Sequence, residues 1–181
     1  MSVVDNRPEN MNFLSPLNFK FQIKRTPSLN FFVQKVNLPG LTLPNIDENT
    51  PLIRIPYSGD HLLFDELVVT FKVDENLINY MEIHNWLRGL GKPSYEEYKN
   101  LKSKSIYTGE SLNSDISLSI LTSYKNPNYE VIFTDAFPVS LSGIDFTTTA
   151  EDISYLEATA TFKYLTYTIK KTNWQLFLFS L

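Results

Sequence analysis

Cysteine is absent from the 181 residues, which excludes disulfides, thiolate metal sites and a cysteine nucleophile. Histidine occurs only twice, at His61 and His84, too few and too far apart in sequence to make a zinc site or an imidazole relay. Glycine is scarce at six residues. No apolar run approaches the about 18 residues of a membrane-spanning helix. Positive charge is not in excess either. Sixteen Lys and Arg stand against twenty Asp and Glu, for a net charge of −4. That balance argues against a protein held on nucleic acid by phosphate neutralisation, or on anionic lipid by charge. The opening Met1-Ser2-Val3-Val4-Asp5-Asn6-Arg7 has no apolar signal core, so a cytosol-like compartment of synthesis and assembly is expected.

What the chain does have is aromatic residues, 14% of the total with 13 Phe and 10 Tyr, a composition that favours sheet over helix. The length suits one domain with appendages. Residues 1–16 are polar, carry Pro8 and Pro16, and read as an N-terminal arm ordered by a partner. Phe19, Phe21 and Ile23 then alternate with Lys20, Gln22 and Lys24 as a half-buried strand, and Phe31 to Val36 reads as a second, joined to the first as a hairpin through Thr26-Pro27-Ser28.

Between Leu38 and Asp60 the prolines 39, 44, 51 and 56 crowd together. The short run Leu52-Ile53-Arg54-Ile55 among them suits an edge ribbon or an extended loop, and a segment of this kind inside a small domain is expected to make contacts. Leu67, Val69, Phe71 and Val73 mark a strong strand. Asp74 follows at an N-cap position with Glu75 behind it, and the stripe Leu77, Ile78, Met81, Ile83, Trp86, Leu87 and Leu90 predicts a helix over 75–90 that ends at Gly89 and Gly91. Ser94 and Glu97 have the spacing of a capping box for a short further piece, and Lys99 to Ser114 reads as polar loop.

The last third returns to sheet. Ile116, Leu118 and Ile120 alternate with polar neighbours, Asn126-Pro127-Asn128 turns the chain, and Tyr129 to Thr134 runs back. Phe137 to Phe146 continues with a bend at Gly143, and Tyr155 to Ile169 gives the longest alternation. This order predicts a mainly β (α+β) fold, an antiparallel β-sandwich or barrel over 17–170 with one flanking helix. The segment 171–181 contains Trp174, Leu176, Phe177, Leu178, Phe179 and Leu181, an apolar tail expected to pack on the domain or on a partner.

No catalytic constellation emerges. Arg88-Gly89-Leu90-Gly91-Lys92-Pro93-Ser94 lacks the glycine and hydroxyl positions of a phosphate loop and reads as a helix end. The carboxylate pairs Asp74/Glu75, Glu96/Glu97 and Glu151/Asp152 fall at helix starts and turns, and no G-x-S-x-G elbow occurs. No enzyme, cofactor or metal is expected.

Two stretches carry a family resemblance. One runs Ile55-Pro56-Tyr57-Ser58-Gly59-Asp60, then Phe64-Asp65-Glu66-Leu67-Val68-Val69-Thr70-Phe71, then Asp74-Glu75 and a helix with Trp86. The other runs Phe133-Thr134-Asp135-Ala136-Phe137-Pro138-Val139-Ser140-Leu141-Ser142-Gly143, followed by Tyr155 to Tyr164. Together they resemble the tail tube proteins of contractile-tailed, T4-like bacteriophages and the related baseplate protein that initiates the tube, over residues 52 to 168. The resemblance implies a structural virion protein of the phage tail, assembled in the host cytoplasm. It implies a ring, hexameric in the family, that contacts other tube or baseplate proteins and lets DNA pass through its lumen unbound. Residues 38–60 would match the element that reaches the next ring, with Ile53, Ile55 and Tyr57 as contact residues, joined by Trp174, Phe177 and Phe179 of the tail. The short polar lead before the first strand differs from the tube initiator, and the apolar tail is not part of the family pattern. A separate reading stays open on the residues alone: a monomeric β-sandwich that binds carbohydrate or peptide with exposed aromatics.

Overall fold

A computed structural model of the chain describes residues 11–91, 95, 96, 98–100, 102, 112–148 and 155–172. Phe19, Phe21 and Ile23 do form a strand, β1 (Phe19–Ile23), but it pairs antiparallel with the distant β8 (Ser114–Leu121). The expected hairpin is replaced by a short helix, α1 (Pro27–Phe32). Two local causes explain the change. Pro27 occupies the first helical turn, where its fixed φ fits and its missing N–H is not needed. Asn30 also turns its amide back on β1, accepting from the Ile23 N–H at 2.8 Å and donating to the Ile23 carbonyl at 3.1 Å. Those are the groups a hairpin partner would have used. Phe31 and Phe32 are therefore helical, and β2 (Val33–Val36) lies in the other sheet against β7 (Leu67–Lys72).

Two antiparallel sheets share one strand. β9 (Pro127–Leu141) is 15 residues long. Its first half pairs with β8 and with β11 (Thr166–Lys171), and its second half pairs with β10 (Glu157–Lys163), which continues to β7 and β2. The sequence suggests one strand from Tyr155 to Ile169. The structure kinks it at Tyr164 and Leu165 into β10 and β11, so that it follows β9 from one sheet into the other. Inward side chains from both sheets, among them Phe21, Ile23, Val69, Phe71, Ile116, Val131, Phe133, Ala160 and Phe162, make the core.

The bend in β9 falls at Asp135, not at Gly143. Asp135 has φ 54°, and the β8 register slips opposite it between Ser114 and Ile116. This one-residue bulge turns the strand over: Val131 and Phe133 point inward before it, Ala136 and Pro138 after it. The Asp115 carboxylate fixes the bulge by accepting from the Asp135 N–H at 3.2 Å. Ser114, expected in a loop, is the first residue of β8.

Helix α2 (Ile78–Gly91) starts three residues later than expected and Asp74 does not cap it. Residues 74–77 form a turn instead, with the Leu77 N–H on the Asp74 carbonyl at 2.9 Å and Leu77 itself at φ 57°. The buried Asn79 closes this corner, donating to the Lys72 carbonyl at 2.8 Å and accepting from the Asp74 N–H at 3.2 Å. Ile83 and Trp86 face the core while Ile78 and Met81 remain exposed, so the apolar stripe is narrower than the sequence suggests. Trp86 donates from Nε1 to the Leu112 carbonyl at 3.0 Å, and the Arg25 guanidinium lies 5.3 Å from its ring centroid. The expected capping box at Ser94 and Glu97 lies outside the described residues.

A β-branched residue in the left-handed region is strained, whereas glycine is not. Asp135→Val should therefore unfold at lower urea than Asp135→Gly, by about 1–2 kcal/mol. Equal midpoints for the two variants would show that the backbone at 135 relaxes without cost.

Candidate assembly interface

The proline-rich segment is not a loose loop. Beyond Val36 and before Leu67 the β2–β7 hairpin continues outward as a long two-stranded arm. At its base β3 (Leu41–Thr42) pairs with β6 (Leu63–Phe64), and further out β4 (Asn45–Asn49) pairs with β5 (Arg54–Ser58). Pro39 and Pro44 fall at the breaks between the pieces and have no N–H to give the ladder, Pro51 falls in the tip turn, and Pro56 sits within β5 opposite Asp47. Between the two ribbons the Gly59 N–H bonds the Pro44 carbonyl at 2.7 Å. The approach is so close that a Cβ on residue 59 would stand 2.5 Å from that oxygen, which is why glycine is needed here. At the tip Thr50 closes the turn, its Oγ1 donating to the Ile53 carbonyl at 2.6 Å.

Register decides what the arm presents. Ile46 stands opposite Tyr57 and Glu48 opposite Ile55, so Ile46, Ile55 and Tyr57 share one face with Glu48. The other face carries Asn45, Asp47, Asn49, Arg54 and Ser58 around Pro56. Among the described residues little covers the apolar face: Ile46 is 64% exposed and Tyr57 52%, with Ile55 half-buried. Nearer the base Leu41, Leu43, Leu62 and Leu63 are exposed as well. A lone two-stranded ribbon is marginal in water, and a contiguous apolar face of this kind marks a surface that becomes covered.

Of the residues expected to make contacts, the structure brings Ile55 and Tyr57 together on that face and leaves Ile53 on the tip turn, 65% exposed. Trp174, Phe177 and Phe179 lie outside the described residues. Sequence reading missed Ile46, because its place opposite Tyr57 depends on a register set by the Thr50–Ile53 turn.

The arm is anchored by an aromatic latch that the sequence reading did not single out either. Phe64 packs edge-on against Tyr164 at 5.9 Å and Tyr167 at 5.8 Å, and Phe133 lies under both tyrosines at 5.0 and 5.6 Å. The hydroxyls reach across to the arm's two strands, Tyr164 donating to the Asp65 carbonyl at 2.9 Å and Tyr167 to the Pro39 carbonyl at 3.2 Å. Asn37 completes the base, donating to the Glu66 carbonyl at 3.1 Å and accepting from the Val68 N–H at 2.6 Å. Burial, with lesser contributions from Tyr167 and Asp65, pushes the Tyr164 phenol up to about 12. Among the described residues no group of His, Asp and Glu is placed to hold a metal ion. His84 stacks on Tyr80 at a helix face, 6.5 Å between rings.

The model of a protein family described as phage tail tube protein matches residues 7–170. The chain is 29% identical over 167 residues to the tail tube terminator protein of Enterobacteria phage T4, covering 88% of this chain and 90% of that protein. Among solved structures, the tube-terminating cap of the anti-feeding prophage superposes with a TM-score of 0.62 at 10% identity, over 95% of this chain and all (100%) of the other. A chain from the sheath–tube complex of the extracellular contractile injection system PVC gives 0.55 at 12% identity, over 95% and 99% of the two chains. Likeness at these identities speaks for the fold, which cap and sheath–tube chains share.

Two expectations follow from the arm's construction. Gly59→Ala should speed amide exchange across residues 45–58 and leave the thermal midpoint of the sandwich within the error of the wild type; unchanged exchange would mean the Gly59–Pro44 contact does not hold the ribbon. Tyr164 keeps its proton longer in the folded than in the unfolded chain. Its stabilising effect is therefore full below pH 10, the ordinary phenol value, and is lost as the pH rises through about 12. The stability advantage of wild type over Tyr164→Phe in a urea series should disappear over that window, and an advantage that persisted above it would contradict the shift.

Proposed function

The chain belongs to the phage tail tube protein family, and from that premise we propose that it is the subunit of a ring that ends the tail tube. As a member of this family it is a structural protein of the tail and its place is in the virion. The observation that carries the assembly role is the arm, a latched ribbon on whose apolar face Ile46 and Tyr57 are exposed among the described residues, with Ile55 half-buried between them. A neighbouring subunit or ring that covers this face removes its surface from water, at about 25 cal/mol per Å². The end of the tube is favoured over its shaft by the 29% identity, across nine-tenths of its length, to a protein named for terminating the tube.

Assembly is then the whole mechanism. Subunits close into a ring, six-membered in this reading, formed in the host cytoplasm. The ring's arms dock on the outermost tube ring or on the adjoining tail proteins, and no arms are offered to a further ring. DNA crosses the lumen without specific binding, which a net charge of −4 supports because attraction to phosphate would slow passage. In this reading residues 17–170 are the ring body, 38–60 the docking arm, and 1–16 and 171–181 appendages at its ends. Family membership leaves the monomeric carbohydrate- or peptide-binding reading without an observation in its favour.

Negative-stain electron microscopy of the purified chain mixed with preformed tail tubes tests the proposal. Discrete rings that attach at one tube end and halt elongation are expected. Long tubes built from the chain alone would make it a shaft subunit and overturn the terminator role. The pair Ile46→Asp and Tyr57→Asp should weaken attachment about 100-fold or more while the thermal midpoint holds, since both side chains are exposed in the single chain.

A further inference from the structure

The apolar face of the arm carries one charge. Glu48 stands on it, opposite Ile55 and two residues beyond Ile46, about 7 Å along the strand. Glu48 is exposed, and among the described residues its carboxylate has no hydrogen bond and no ion pair. Its neighbour Asp47 lies on the other face and accepts from the Asn45 amide at 2.9 Å. Glu48 is therefore the free charge of the face that becomes covered.

The arm holds no cation that serves Glu48. No lysine occurs between Lys35 and Lys72, and the one arginine there, Arg54, stands opposite Asn49 on the other face. Exposed ribbons are commonly guarded by lysine, but this one carries Asp47, Glu48 and Asp60. An ionised carboxylate taken out of water against an apolar surface is strongly disfavoured unless it meets an opposite charge. The surface that covers Ile46 and Tyr57 therefore has to supply that charge. The arm of a second copy does not, since it brings the same carboxylates.

We propose that the arm docks on a protein surface whose apolar socket for Ile46, Ile55 and Tyr57 is flanked by an arginine or lysine side chain that pairs with Glu48. This pairing rests on the reading of the arm as the docking element and adds to it the chemistry of what the arm meets. Apolar burial supplies the affinity. The ion pair fixes where along the socket the ribbon comes to rest, because a shift of two residues takes Glu48 from its partner into apolar surroundings.

Cosedimentation of the full chain with preformed tail tubes, across a salt series, tests the pairing. Glu48→Gln keeps the shape of the side chain and removes its charge. It should weaken attachment about ten-fold or more and make it less steeply dependent on salt between about 50 and 500 mM. Glu48→Lys, which sets like charges against each other, should weaken attachment further. Glu48 is exposed, so the fold should tolerate both changes, and an unchanged thermal midpoint checks that. Ile46→Asp serves as the comparison. A wild-type chain that does not attach, or attachment that Ile46→Asp leaves intact, overturns the arm as docking element and the pairing with it. Attachment that Ile46→Asp breaks and Glu48→Gln leaves unchanged overturns the pairing alone, since Glu48 then stays in water at the rim. Weakening by Glu48→Gln with the salt dependence of the wild type also overturns it, because the group facing Glu48 is then a neutral donor.

Discussion

A strand that serves two sheets has to turn its side chains over partway along, and the rest of this fold depends on how β9 does so. With side chains alternating strictly, 15 residues would keep one parity inward throughout, and Asp135, Phe137 and Val139 would point to the core in place of Ala136 and Pro138. The left-handed Asp135, held by the Asp115 carboxylate, inserts the one residue that exchanges the faces. Phe133 before it and Ala136 after it can then both reach the core. The kink at Tyr164 and Leu165 is the matching adjustment in the partner strand. It leaves Tyr164 and Tyr167 both beside Phe133, and those two tyrosines are what hold the arm. The bulge, the kink and the latch are therefore one connected arrangement that reaches from the core to the interface.

The arm and the sandwich are stabilised differently. The sandwich buries two inward faces against each other with Trp86 and Ile83 of α2 closing one side. The outer ribbon has only its own five-residue ladder and the turn at Thr50. Such an element gains most of its order from what it meets, which in the proposed ring is another protein subunit.

Much of this was legible in the residues. Strict alternation located β1, β7, β8 and β10, and the crowding of prolines located the arm. The errors have specific causes. The hairpin between β1 and β2 failed because Pro27 suits a helix start as well as a turn, and because the side chain of Asn30 does the work of a paired strand. Asp74 has the local pattern of a cap, but the turn that places Leu77 at positive φ is closed by the buried Asn79, a tertiary contact invisible to local pattern. Glycine is the usual sign of unusual backbone and points to Gly143, whereas the bulge uses an aspartate. At the interface Ile55 and Tyr57 were readable as apolar positions in an exposed segment. Ile46 was not, because only the register pairs it with Tyr57. The tyrosine latch escaped because its partners are main-chain carbonyls far away in sequence, which carry no residue identity to read.

That last property has a consequence for how such a protein can diverge. Tyr164 and Tyr167 grip the carbonyls of Asp65 and Pro39, and Asn37 grips main-chain groups of Glu66 and Val68. Apart from Phe64, the socket recognises the arm as backbone. Mutations beyond residue 40 can therefore accumulate, and the arm can lengthen, shorten or change its apolar face, without loosening its seat. One inherited body can in this way be refitted over generations to new neighbours, with selection acting on the arm and leaving the sandwich alone.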